Sequence, residues 1–184
     1  MHAESGAPAP PQHLRPHPRR WLILGGSGAG KSTLARSIAE LLGLPAVHLD
    51  GHFWHDGWVP TPDPEWDEVV ARLAAEDEWV MDGNYSRTLG HRLPRADAVV
   101  LLDRNPLLCL GRVLRRARNP GARPGLPQGC PDRLPDRLFL WWILSYRWRS
   151  MPKVLRRMAD YPGLPFVTLR SNGEVNRFLS DLAT

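Results

Sequence analysis

Short apolar runs alternate with longer segments of helical period along this chain. Trp21-Leu22-Ile23-Leu24 is an apolar run closed by glycines and reads as a buried strand. Lys31 to Leu42 follows with Leu34, Ile38, Leu41 and Leu42 at helical spacing, and Gly43 is a natural stop. Ala46 to Leu49 predicts a second strand, ending at Asp50. Pro64 to Glu76 predicts a helix with Trp66, Val69, Val70 and Leu73 on one face. Trp79-Val80-Met81 is a third strand, ending at Asp82, and Ala98 to Leu102 a fourth, ending at Asp103. Pro106 opens a helix that runs to Arg118. Asn119 to Pro131, rich in Gly and Pro, predicts a loop. Helices over Asp136 to Ser150 and Pro152 to Ala159, a strand at Phe166 to Leu169, and a helix over Glu174 to Leu182 complete the chain.

The strands lack polar alternation, as expected of a parallel sheet covered on both faces. The expected fold is α/β, three layers around a five-stranded parallel sheet. Such sheets bind ligands at the carboxyl ends of their strands. Gly25, Asp50, Asp82 and Asp103 therefore belong to one edge. Residues 1–19 carry Pro, His and Arg with little apolar content and predict a flexible tail; residues 20–184 form the domain.

Gly25-Gly26-Ser27-Gly28-Ala29-Gly30-Lys31-Ser32 has the spacing G-x-x-x-x-G-K-[ST] between a strand and a helix. Glycines let the backbone turn its N–H groups around phosphate oxygens, and the helix start adds its positive dipole end. Lys31 is then placed to reach the β- and γ-phosphates of ATP, and the Ser32 hydroxyl to ligate Mg²⁺. Thr33 adjoins the loop as a structural neighbour. The strand-end acids have two readings each. A carboxylate beside such a loop can hold Mg²⁺ or take a proton from an attacking hydroxyl; it can also cap a helix. Site roles are favoured for Asp50 and Asp82, and Asp103 is divided between the two. His48, His52 and His55 straddle a strand end and a loop, a poor spacing for a metal site.

The charge is unevenly placed. The formal net charge is +5. Lys31 and Lys153 are the only lysines, and thirteen basic residues between Arg104 and Arg157 face only Asp132 and Asp136. Arginine suits bidentate phosphate recognition, so a phosphorylated partner is expected. Charge alone does not separate a small nucleotide from a nucleic acid, and no nucleic-acid motif is present. Arg112, Arg116, Arg133 and Arg137 are candidates for neutralising a transferring phosphoryl group from a mobile lid. Trp141, Trp142 and Trp148, beside Leu138, Ile143 and Leu144, read as core, whereas Trp54 and Trp58 lie on the loop after the second strand, where an acceptor would sit. Cys109 and Cys130 lack disulfide or metal logic and suggest free thiols in a reducing cytoplasm. No apolar run approaches the ~20 residues of a bilayer span, and no secretory h-region opens the chain. A monomer is expected.

Gly25 to Thr33, Leu49-Asp50, Trp54, Gly57-Trp58 and Trp79-Val80-Met81-Asp82-Gly83-Asn84-Tyr85 together resemble the DNA topology modulation protein family, which is grouped with adenylate-kinase-like P-loop proteins. The likeness continues through Arg95-Ala96-Asp97, Arg112 to Arg116, Gly129-Cys130 and the Trp-rich helix, and covers roughly residues 21 to 182. It implies a nucleoside-monophosphate-kinase-like fold with sheet order 2-3-1-4-5 and an Arg-rich lid at about residues 117–137. It further implies that Asp82 supports Mg²⁺, that Gly83 lines the acceptor site, and that Arg112 and Arg116 start the lid, one flanking the adenine and another touching phosphates. Asn172 then follows the last strand, where this fold contacts the base.

The pattern departs from adenylate kinases at two places. Asn84-Tyr85-Ser86-Arg87 replaces Phe-Pro-Arg, which shifts the arginine by one position; Arg87 stays a candidate for an acceptor phosphate. Asp50 to Asp56 contains no arginine, and Asp50 with Phe53 and Trp54 is instead similar to uridine-kinase-like enzymes, where such an acid activates an acceptor hydroxyl. The implied function is transfer of the γ-phosphoryl of Mg·ATP to a small molecule, a nucleotide or nucleoside-like acceptor. The alternatives are a P-loop ATPase or nucleotide switch acting through a protein partner, and an Arg-rich nucleic-acid-binding module such as a DNA topology modulation factor.

Overall fold

The structure, a computed structural model, describes residues 17–118, 126–127, 129–130 and 134–184. In chain order the elements are β1 (Arg20–Gly25), α1 (Lys31–Leu42), β2 (Ala46–His48), α2 (Leu49–Phe53), β3 (Trp54–His55), β4 (Val59–Pro60), α3 (Asp63–Ala75) and β5 (Trp79–Asp82). There follow α4 (Leu89–Arg92) between two 3₁₀ turns, β6 (Ala98–Leu102), α5 (Pro106–Arg118), α6 (Arg137–Arg149), α7 (Met151–Ala159), β7 (Phe166–Leu169) and α8 (Asn172–Leu182).

Five strands form one parallel sheet in the order β2-β5-β1-β6-β7. Counting these five strands alone, the order is the expected 2-3-1-4-5. Successive side chains of a strand point to opposite faces, so each apolar run feeds two cores. Trp21, Ile23, Val80, Val100 and Leu102 pack with Ala35 and Ile38 of α1 and Val113 of α5. Leu22, Leu24, Trp79, Met81, Val99 and Leu101 pack with Trp66 of α3, Leu89 of α4 and Val154 of α7. Burial on both faces explains the absence of polar alternation. The register sets Ile23 between Asp82 and Val100, which brings the ends of β1, β5 and β6 to one level. No helix among the described residues is long and apolar enough to cross a membrane.

Four expectations need correction. Asp50 does not end a strand: β2 stops at His48, and Asp50 lies in the single turn of α2. The stretch after it carries an antiparallel hairpin, β3 with β4, which two-residue strands leave no period to reveal. The last helix, α8, begins at Asn172 rather than at Glu174, and the Ser171 side chain caps it. Trp141 and Trp148 are not core; they are 52% and 71% exposed. The reason is that α6 is apolar nearly all round from Leu138 to Leu144. One helix face can be buried, and Ile143 and Tyr146 occupy it. The Arg149 guanidinium lies 4.6 Å from the centre of the Trp141 ring, which shields the outward indole. Residues 1–16, most of the predicted loop 119–131 and Arg133 lie outside the described residues.

Candidate active site

The loop between β1 and α1 takes the shape its glycines allow. Gly25, Gly28 and Gly30 all have positive φ, and a side chain at Gly28 would run into the Cys109 carbonyl of α5. Lys31 opens α1, and its Nζ donates to the Gly26 carbonyl at 3.1 Å. Burial pushes the Lys31 ammonium down from its ordinary pKa, while Asp82 and Asp50 oppose that shift. The Arg112 guanidinium donates to the Gly28 and Ala29 carbonyls at 3.3 and 3.4 Å and to Asn172 Oδ1 at 3.4 Å.

A second clasp holds the loop from the neighbouring strand. The Asn84 amide accepts from the Gly25 N–H at 3.0 Å and donates to the Gly25 carbonyl at 2.6 Å. The Tyr146 hydroxyl of α6 donates to the same Asn84 oxygen at 3.2 Å, and its ring lies against Gly26. Asn84 therefore ties the segment after β5 to the first glycine of the loop.

Asp82 stands at the centre of a polar triplet. Its Oδ2 accepts from Ser32 Oγ at 2.7 Å, and its Oδ1 faces His48 Nδ1 at 2.5 Å. The hydrogen bond to Asp82 raises the pKa of His48 against the lowering effect of burial. Ser32 and Asp82 offer two hard oxygen atoms. Mg²⁺ takes one or two such protein ligands and completes its shell with water and phosphate oxygens, so the donor set fits that ion. Two of the three histidines have separate partners: His55 Nε2 meets Thr61 Oγ1 at 3.2 Å, whereas His48 pairs with Asp82. Among the described residues no three His, Cys, Asp or Glu side chains gather as a metal group.

Two cavities meet at this loop. One, about 790 Å³, runs from Gly28–Thr33 past Arg104, Arg112 and Arg115 to Asn172 and Leu179 of α8. The other, about 630 Å³, lies between Asp50, Trp54, Trp58, Gly83 and Tyr85 on one side and Phe139, Trp142 and Lys153 on the other. Ser27, Lys31, Asp50 and Arg116 line both.

The chain's likeness to solved structures bears on this arrangement. No family model matches it, and no curated protein does. It is similar to the crystal structure of shikimate kinase from Bacteroides thetaiotaomicron, with a TM-score of 0.52 and 19% identity over 90% of this chain and 97% of that one. It is also similar to a gluconokinase from Sinorhizobium meliloti, with a TM-score of 0.50 and 19% identity over 92% and 95% of the two chains. The chain has a P-loop kinase fold.

Within that fold the predicted residues separate. Lys31, Ser32, Asp50, Asp82, Gly83, Trp54, Arg112, Arg116 and Asn172 surround the two cavities. Asp50 is held by the Tyr85 hydroxyl, which donates to its Oδ1 at 2.7 Å. Arg87, expected to bind an acceptor phosphate, lines neither cavity. Its guanidinium is paired with Asp63 and Asp67 of α3, because a displaced arginine after Tyr85 meets the acidic first turns of that helix. Arg137 is exposed in the first turn of α6 and lines neither cavity. Asp103 is buried between Arg147 and Arg170, at 3.2 and 3.5 Å, in a structural role.

Sequence reasoning passed over Arg92 and Arg104. Arg104 follows β6 at the same sheet edge as the strand-end acids, and that position was the available signal. It is 8% exposed, its Nε has no hydrogen-bond partner among the described residues, and it lines the larger cavity. Burial and the nearby Arg112 both lower its pKa.

Proposed function

We propose that the chain is a phosphotransferase that moves the γ-phosphoryl group of Mg·ATP to a hydroxyl of a small molecule. The observation that carries this reading is the shared wall of the two cavities: Ser27, Lys31, Asp50 and Arg116 border both. A group passing between the cavities meets two cations and a carboxylate on that shared wall. Phosphoryl transfer needs positioning and charge neutralisation more than covalent help. Lys31 and Arg116 supply charge at the transferring group. Ser32 and Asp82 would hold Mg²⁺, which neutralises phosphate charge when bound.

Asp50 receives the proton. One oxygen is fixed by Tyr85, and among the described residues Oδ2 has no hydrogen bond. The acceptor oxygen forms the new P–O bond, its proton passes to Asp50 Oδ2, and the β–γ bridging P–O bond breaks with its electron pair leaving on ADP. Asp50→Asn keeps the shape and removes the base. General-base catalysis contributes about 10²–10⁴-fold, so acceptor-dependent ADP release should fall by a factor in that range. Undiminished release in this variant would remove Asp50 from the chemistry.

Arg104 serves the nucleotide side. A buried guanidinium whose Nε has no hydrogen-bond partner among the described residues, beside a second arginine, favours an anion, and phosphate is the anion this loop is shaped for. A hydrogen bond to a charged group contributes about 1.5–3 kcal/mol, so Arg104→Gln should weaken ADP binding about tenfold or more by titration calorimetry. The ligand-free protein should melt no lower, since the substitution relieves like-charge repulsion with Arg112. Unaltered ADP affinity would reject this role.

The alternative of a switch or nucleic-acid module rests on the arginine excess of the 104–157 segment. Within that segment Arg147 is paired with Asp103, and Arg112 and Arg116 line the cavities, which accounts for three of those charges without a nucleic acid.

A further inference from the structure

The acceptor cavity restricts what can enter it. Six aromatic side chains line it: Trp54, Trp58, Tyr85, Phe139, Trp142 and Tyr146. Polar groups on and beside the aromatic walls are committed to one another or to the backbone, while Ser27, Ser86, Ser150 and Lys153 also line the cavity. The Asn84 amide is bound to Gly25, the Tyr146 hydroxyl to Asn84, the Tyr85 hydroxyl to Asp50, and Asp136 Oδ1 to the Phe139 N–H. A polyol set against the aromatic walls would give up hydration there without regaining partners, and an unpaired polar group out of water is costly. A flat ring loses little water and gains contact with aromatic faces.

Charge points the same way. Arg87, the arginine placed by sequence to bind an acceptor phosphate, is held by Asp63 and Asp67 outside the cavity. Lys31 and Arg116 stand at the wall shared with the nucleotide cavity and serve the transferring group. Lys153, exposed on α7, is the remaining cation among the described residues of the lining, and two carboxylates, Asp50 and Asp136, are there with it. A built site for a second dianion is therefore missing from the described lining.

We infer that the acceptor is an uncharged hydroxyl compound with a flat ring, of nucleoside type, rather than a phosphorylated or carboxylated one. This rests on the kinase reading, with Asp50 directed at the hydroxyl and the aromatic walls at the ring. The full chain with Mg·ADP should be titrated calorimetrically with adenosine, uridine and thymidine, with their 5′-monophosphates, and with glucose, gluconate and shikimate. At least one nucleoside should bind more than tenfold tighter than its monophosphate and than the three polyols. Base–aromatic stacking predicts that Trp54→Ala weakens nucleoside binding about tenfold, with ADP affinity unaltered. Lys31→Ala should keep nucleoside binding.

Tighter binding of a monophosphate or of gluconate or shikimate overturns the inference, as does glucose in first place or an unaffected Trp54→Ala. Turnover of such an acceptor would then leave the kinase reading intact. Nucleoside binding with no ADP release from the unaltered protein supports the ligand class and removes the kinase reading instead.

Discussion

Lys31→Ala is expected to lower the rate of ADP release by about three orders of magnitude or more, the scale set by removing a cation from a transferring phosphoryl group. The site explains why the effect should be large. Lys31 borders both cavities, and its ammonium is partly stripped of water, so its charge acts in a low-dielectric setting. Asp82 and Asp50 hold that charge in place from two sides. The fold should hardly notice the change. The ammonium's hydrogen bond goes to the Gly26 carbonyl at 3.1 Å, and the loop keeps its shape through its glycines and the Asn84 clasp. The thermal midpoint should stay within a few degrees, corresponding to less than about 1 kcal/mol. Turnover that survived in this variant would place the phosphate charge on Arg112 and Arg116 alone. A lost midpoint would instead make Lys31 a structural residue.

The sheet and the phosphate loop were legible because their signals are local. Trp21 to Leu24 and Ala98 to Leu102 are continuous apolar runs, and a run buried on both faces carries its own length in the sequence. The loop's glycines announce backbone shapes that other residues adopt poorly. Asp82 was legible as a strand-end acid. What failed were readings that depend on partners distant in sequence. The neutralisation of Arg87 needs Asp63 and Asp67, about twenty residues earlier on α3. Whether Asp103 meets solvent, a ligand or Arg147 depends on where α6 packs. Helical period placed Trp141, Trp142 and Trp148 together, but a helix apolar on most sides cannot say which side is covered. The hairpin at Trp54 and Val59 is held by backbone pairing and by the Gly57 N–H donating to the Gly129 carbonyl, contacts that leave no period behind.

Arg92 is the largest omission, and its replacement should have the largest effect on stability. Its side chain is fully buried, and among the described residues no carboxylate pairs with it. The guanidinium donates instead to three successive carbonyls: Gly83 at 2.8 Å, Asn84 at 2.7 Å and Tyr85 at 2.9 Å. Three consecutive carbonyls converge on one point because Gly83 and Tyr85 both have positive φ, +139° and +27°. Burial lowers the pKa of the group, but a guanidinium starts so high that it stays charged.

Arg92→Met would leave the Gly83 and Asn84 carbonyls without this donor, while the Tyr85 carbonyl keeps the Thr88 N–H and hydroxyl at 2.9 and 3.0 Å, and each buried acceptor left unsatisfied costs about 1–3 kcal/mol. With partial relief by water, a loss of about 3–5 kcal/mol is expected in urea denaturation, a large share of a domain stability of about 5–15 kcal/mol. Arg92→Lys should recover only part of this, since an ammonium lacks the planar fork that spans all three oxygens. The same turn carries Asn84, which clasps Gly25, and Tyr85, which fixes Asp50. Folded Arg92→Lys should therefore show a raised acceptor KM and a reduced kcat together, although the side chain lines neither cavity. A variant within about 1 kcal/mol of the unaltered protein, with normal kinetics, would mean that the turn holds its strained shape unaided. The φ of +27° at Tyr85 argues against that, because a residue with a Cβ persists in such a conformation only when its surroundings hold it there.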